Sequence, residues 1–165
     1  MKYAFIGLPC SGKTTLAKDI AKDVNGIFIP EIARLYIDSI DGKPKPDDNL
    51  TIARLQSNLE KMLEIDDNIN ISDVPVYLSC AYDKIYNNGK NYDKIMELSS
   101  QHNYDKIFNV VDTLGYQEDG TRYQTQEDLF KLDSIIEQLN KNYDVVDIRG
   151  IDHKQRKEQV LKYIE

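Results

Sequence analysis

Apolar positions along the chain follow two periods. Residues 2–6 (KYAFI) form a short aromatic-rich run closed by Gly7, the pattern of a buried strand. From 13 to 24 the period lengthens: Leu16, Ile20 and Val24 recur four apart, predicting a helix that Asn25-Gly26 breaks. Residues 27–29 (IFI) predict a second strand stopped at Pro30. Ile32, Leu35, Tyr36 and Ile40 then mark a helix over 31–40. The stretch 41–49 (DGKPKPDDN) is polar, with Gly and Pro, and predicts a mobile surface loop. Ile52, Leu55, Leu59, Met62 and Leu63 give an amphipathic helix over 50–64. VPVYLS at 74–79 predicts a third strand, with Pro75 confined to its start. A turn at Asn87-Asn88-Gly89, a helix over 92–101 and a strand over 107–111 (IFNVV) follow. Residues 112–124 lack periodicity and predict a loop. Thr125-x-x-Asp128 has the form of a capping box ahead of Leu129, Leu132, Ile136 and Leu139. Residues 145–148 predict the last strand, and Asp152 opens a helix that turns Val160, Leu161 and Ile164 inward.

Strands alternate with helices five times. That order predicts an α/β domain: a parallel sheet covered on both faces, with ligands at the carboxyl ends of its strands. At 165 residues the chain has the length of one domain (1–165), and it carries no internal repeat. Lys and Arg number 21 against 28 Asp and Glu, a net charge of −7. The resulting pI near 4.9 argues against a general nucleic-acid-binding surface, which needs a basic face. No apolar run is long enough to span a membrane. Two distant cysteines, Cys10 and Cys80, make no disulfide framework, and a reducing, cytoplasmic location is expected.

The chemistry concentrates at Gly7-Leu8-Pro9-Cys10-Ser11-Gly12-Lys13-Thr14, which fits G-x-x-x-x-G-K-[ST]. A chance match in a chain of this length has odds of about one in a hundred. Here a predicted strand leads in and a predicted helix leads out, as a phosphate-binding loop requires. Its glycines let successive backbone N–H groups face phosphate oxygens, and the helix start adds its own unpaired N–H groups. The motif therefore implicates Gly7, Pro9, Cys10, Ser11, Gly12, Lys13, Thr14 and Thr15 in nucleotide binding. Lys13 would meet the β- and γ-phosphates of ATP, Thr14 would ligate Mg²⁺, and Thr15 would bond the α-phosphate. Cys10 reads as a small filler within the loop.

Further elements extend this into a family likeness. Pro30-Glu31-Ile32-Ala33-Arg34, Gln56 and Glu60 in ARLQSNLE, Asp83 to Tyr86 (DKIY), Tyr104 to Phe108 (YDKIF) and Glu118 to Arg122 (EDGTR) occur in sequence. Their order and spacing resemble the NadR-like P-loop kinases, related to the nicotinamide riboside kinase domain of the bacterial NAD regulator. The likeness covers nearly the whole chain. It implies a five-stranded sheet in the order 2-3-1-4-5, ATP and Mg²⁺, and phosphoryl transfer to a small nucleoside or nucleotide. It also implies that the 41–49 and 112–124 loops close over the acceptor.

The same resemblance proposes Glu31, Arg34, Gln56 and Glu60 at the acceptor site, and Arg122 on a lid, neutralising the transferring phosphoryl group. Read from pattern alone, Gln56 and Glu60 are a solvated helix face, and Glu31 and Arg34 a local ion pair. One departure stands out: where the group ends its third strand in Asp-Arg, the aligned pair here is Ser79-Cys80. Asp112 is then the candidate metal-holding carboxylate, with a strand-end cap as its other reading. Glu31 and Asp83 are the candidate catalytic bases. His102 and His153 read as surface residues, and Lys154, Arg156 and Lys157 as a solvated face, with Arg156 alternatively bordering the adenine pocket. Two rival functions remain. One is a hydroxymethyl-pyrimidine DNA kinase, disfavoured by the acidic pI. The other is a nucleotide-binding regulator with degenerate catalysis, favoured by Ser79-Cys80.

Overall fold

A computed structural model describes residues 1–40, 44–111, 125–150 and 152–164. Five strands, β1 (Lys2–Ile6), β2 (Ile27–Ile29), β3 (Asn70–Ser72), β4 (Lys106–Val110) and β5 (Val145–Ile148), form one sheet in the order β2-β3-β1-β4-β5. Every pairing is parallel: β1 lies in register with β3 (Ala4 opposite Ser72) and with β4 (Ala4 opposite Ile107). This is the order that the family likeness implies.

Among the described residues seven helices connect and cover the strands: α1 (Lys13–Asp23), α2 (Ile32–Ser39), α3 (Asp48–Leu63), α4 (Leu78–Tyr86), α5 (Tyr92–Ser99), α6 (Gln126–Asn140) and α7 (His153–Leu161). The capping box at Thr125 and Asp128 forms at the start of α6, and Asp152 caps α7 by accepting from the Gln155 N–H. Side chains of the fully buried β1 alternate between two cores. Tyr3 and Phe5 pack with Leu16 and Ile20 of α1 and Val160 of α7, whereas Ala4 and Ile6 face the core of α3 to α6. Burial on both faces is why this strand lacks a polar alternation.

The third strand corrects the sequence reading. VPVYLS is no strand: it is the turn into α4 and the first residues of that helix, with Leu78 N–H donating to Pro75 O at 3.0 Å. The run is apolar because α4 is wedged under the sheet among α3, α5 and α6, with Val76 and Tyr77 wholly buried. A short buried apolar run does not distinguish strand from helix by its period. The true β3, NIS, is polar at both ends because its side chains complete local networks. Asn70 bonds the backbone of Ile65, and the Ser72 hydroxyl lies 2.9 Å from Glu60 Oε1 and 2.8 Å from Val74 O.

A buried polar cluster anchors the start of β1 beside β3. Lys2 Nζ lies 2.8 Å from Glu60, 2.9 Å from Glu64 and 3.0 Å from His102 Nδ1. Tyr104 OH also donates to Glu60, and His102 Nε2 meets Ser57 Oγ at 2.8 Å. His102 is thus buried rather than on the surface, because its ring completes the network between α3 and β1; His153 does lie on the surface, paired with Asp19. Burial, then the Lys2 ammonium beside it, push the His102 pKa down to about 4.

Lys2 and Lys61 oppose protonation of the ring, Glu64 favours it, and Glu60 stands 3.3 Å from Nδ1. The unfolded chain therefore binds more protons than the native state between pH ~6.5 and ~4. Stability from this group is complete above that window and is lost as pH falls through it, by up to about 1.4 kcal/mol per pH unit. Denaturant melts of wild type and His102→Gln across pH 7 to 4 should show a shallower acid limb in the variant; equal slopes would contradict this assignment.

Candidate active site at the carboxyl ends of β1 and β3

The chain leaves β1 at Ile6 and turns through 7–12 into α1. Gly7 is required there: a Cβ on it would stand 2.6 Å from Val110 O. Gly12 adopts φ 84°, in the left-handed region, and Cys10 shares that conformation at φ 69°. α1 starts with no side-chain cap and no acidic residue in its first turn. Its leading N–H groups and positive dipole end are thereby kept for an anion. Lys13 and Thr14 are half-buried on this turn, Thr15 is exposed, and Ser11 is buried with its hydroxyl unpartnered.

Asp73, the first residue after β3, completes the loop's mouth. Its backbone N–H donates to Ile29 O, and its Oδ2 accepts from the Thr14 hydroxyl at 2.8 Å. It is 2% exposed, and its Oδ1 has no hydrogen-bond partner. Burial raises the Asp73 pKa; Lys13 opposes the rise and Glu31 adds to it. A buried carboxylate with one idle oxygen beside a threonine hydroxyl is a hard-oxygen set. It suits Mg²⁺, which takes one or two protein oxygens and completes its shell with phosphates and water.

Asp73 therefore occupies the place of the strand-end acid that seemed lost at Ser79-Cys80. That pair lies within α4, on the helix that follows the strand end and not at it. The Arg of the family's Asp-Arg pair is Val74 here. Sequence analysis missed Asp73 because the third strand was assigned to the wrong run; the signal was an acid closing N-I-S-D.

A cleft of about 950 Å³, including its open mouth, runs from Lys13 between α2, α3 and α4. Glu31 and Arg34 line it without pairing to each other among the described residues, and Asp38 joins them. Ile52, Val74 and Leu78 supply apolar wall, and Ser79 and Tyr82 polar edges.

Three assigned residues behave differently. Gln56 borders the cleft, but its amide is already engaged: Oε1 accepts from Ile32 N–H and Nε2 donates to Pro30 O, fixing the turn into α2. Glu60 is wholly buried in the Lys2 cluster, where it cannot meet an acceptor. Asp83 is equally buried and accepts from Asn91 N–H and the Asn87 amide, closing the turn between α4 and α5; it is no base. Asp112 and Arg122 lie outside the described residues, as do the whole of the 112–124 loop and residues 41–43. Arg156, assigned to a solvated face, is 6% exposed and reaches under the phosphate loop. No group of three or more metal-ligating side chains occurs among the described residues.

A family model described as an AAA domain matches residues 2–156. A comparison with curated proteins finds no match. Among solved structures, NadR protein in complex with NR superposes with a TM-score of 0.80 at 18% identity, covering 99% of this chain and 50% of that one. NadR protein in complex with NAD and AMP-PNP gives 0.77 at 17%, covering 98% and 48%. This chain thus spans about half the length of those NadR chains. Thymidylate kinase from Ehrlichia chaffeensis gives 0.73 at 16%, covering 100% and 98%. Deoxyadenosine kinase from M. mycoides with bound dATP gives 0.60 at 13%, covering 99% and 98%. The fold is the one these proteins share. No helix among the described residues is long and apolar enough to cross a membrane.

Proposed function

The chain belongs to the AAA-domain family matched over 2–156, and from that premise we propose that it is an ATP-dependent kinase. It transfers the γ-phosphate of ATP to a hydroxyl or phosphate of a small nucleoside or nucleotide. The observation that carries this reading is the Thr14–Asp73 contact at the mouth of the phosphate loop, beside a cleft lined by Lys13, Glu31 and Arg34.

The loop N–H groups and Lys13 bind the triphosphate and hold its terminal phosphoryl group toward the cleft. Thr14 and Asp73 would hold Mg²⁺, which when bound would supply neutralisation of charge on the phosphate oxygens. Glu31 is the half-buried carboxylate on the cleft wall available to take the acceptor hydroxyl's proton, and Arg34 orients the acceptor. Catalysis is then mainly positioning and charge neutralisation. Ile52, Val74 and Leu78 exclude water from the wall on which the acceptor rests. An acceptor carried on DNA is not favoured, because acids (Glu31, Asp38) outnumber the one Arg on the cleft wall beyond the phosphate loop.

Mg-ATP at a hundred times its Kd should stabilise the protein by about 2.7 kcal/mol, a rise in Tm of roughly 5–10 °C for a chain of this size. Thermal melts with Mg-ATP, and with ATP plus chelator, check it. An unchanged Tm with Mg-ATP contradicts nucleotide binding.

A further inference from the structure

α7 is fastened against α1 by two ion pairs, His153–Asp19 at 2.6 Å and Lys157–Asp23 at 2.7 Å. Between those two side chains in sequence, Arg156 turns inward. Its guanidinium donates to three backbone carbonyls on three separate segments. Nη1 meets Ser11 O at 2.7 Å, Nε meets Gly150 O at 3.1 Å, and Nη2 meets Val111 O at 3.4 Å. The three acceptors belong to the phosphate loop, the turn after β5 and the carboxyl end of β4. Gly150 leaves room for the crossing: a Cβ there would stand 3.1 Å from Arg156 Cγ.

The bond to Ser11 O has a consequence for the loop's inner face. The Ser11–Gly12 peptide is trans, as are all peptides described, so its C=O and the Gly12 N–H point in opposite directions. A guanidinium that holds the carbonyl outward holds that N–H on the opposite side. Gly12 is also in the left-handed region, where for a glycine a neighbouring peptide can flip at small cost. A planar cation with a fixed fork of donors is suited to prevent such a flip, and a lysine is not.

We propose that Arg156 is a positioning residue for nucleotide: from behind the phosphate loop it locks the Ser11–Gly12 peptide in the orientation that receives phosphate oxygens. The inference rests on the kinase reading only for the identity of the nucleotide. The direct ligand of the loop is the polyphosphate chain. The anion-binding geometry of the loop is then set partly by the last helix, far away in sequence.

Calorimetric titration with inorganic tripolyphosphate tests it without requiring turnover. Arg156→Lys, which keeps charge and stem, should weaken tripolyphosphate binding at least fivefold, and Arg156→Ala at least tenfold. The KM for acceptor should be unchanged. Guanidinium ion at millimolar concentration should restore binding in Arg156→Ala, and not in Lys13→Met. Lys154→Ala, on the exposed side of the same helix, should bind as wild type does. Should Arg156→Ala fail to fold, Arg156→Lys decides alone. Tripolyphosphate affinity within twofold of wild type in a folded variant overturns the proposal. A wild type that binds tripolyphosphate but transfers no phosphoryl group instead overturns the kinase reading and leaves this one standing. A wild type that binds no tripolyphosphate overturns both.

Discussion

Asp73→Asn should lower kcat/KM for ATP at least about a hundredfold while leaving the melting temperature unchanged or slightly raised. The loss follows from the ligand chemistry. An amide oxygen is a poorer partner for a hard divalent cation than a carboxylate, and the Thr14 hydroxyl loses its charged acceptor. A hundredfold corresponds to about 2.7 kcal/mol of transition-state stabilisation. The stability gain follows from burial. Asp73 is almost wholly buried, one of its oxygens has no partner, and burial raises its pKa. A carboxyl whose folded pKa is raised contributes stability at low pH that is lost as pH rises through that value. Burial thus disfavours the ionised carboxylate in the free protein, a cost that Asn removes. Activity and stability moving in opposite directions is the signature of a site built for a cation. A variant with near-wild-type activity, or one that melts several degrees lower, would mark Asp73 as a structural cap on Thr14.

Lys13→Met should cost at least about a hundredfold in kcat/KM for ATP and abolish most of the Mg-ATP thermal shift. Lys13 stands on the first turn of α1, half-buried, at the junction of the phosphate loop and the cleft. A preorganised donor aimed at developing charge is worth about 10²–10³ in rate when removed. Met preserves the length and helix propensity of the stem, so the fold should be retained. Steady-state kinetics with both substrates varied, together with melts, check this. An unchanged thermal shift in the variant would contradict the assignment of the loop.

The phosphate loop was legible because its signal is local: fixed residues at fixed spacing, between a strand and a helix. The sheet order came from the family likeness, since no property of a single strand announces its neighbours. β3 was misread because its residues serve other elements. Asn70 and Ser72 are polar for networks with α3, and the neighbouring VPVYLS is apolar for a helix buried under the sheet. That one displacement concealed Asp73 and left Ser79-Cys80 looking like a lesion. Glu60, Asp83 and His102 are polar residues whose burial depends on partners 4 to 100 positions away. Arg156 sat in a basic run, KQRK, whose pattern is that of a solvated face. Only the packing of α7 on α1 reveals that one member of the run points inward.

Phosphoryl transfer from γ-labelled ATP, followed across a panel of nucleosides and their monophosphates, tests the central claim most directly. The account predicts Mg²⁺-dependent appearance of label on at least one small acceptor, abolished in Lys13→Met and reduced at least about a hundredfold in Asp73→Asn. Nucleotide binding with no label transferred to any nucleoside or monophosphate would contradict it.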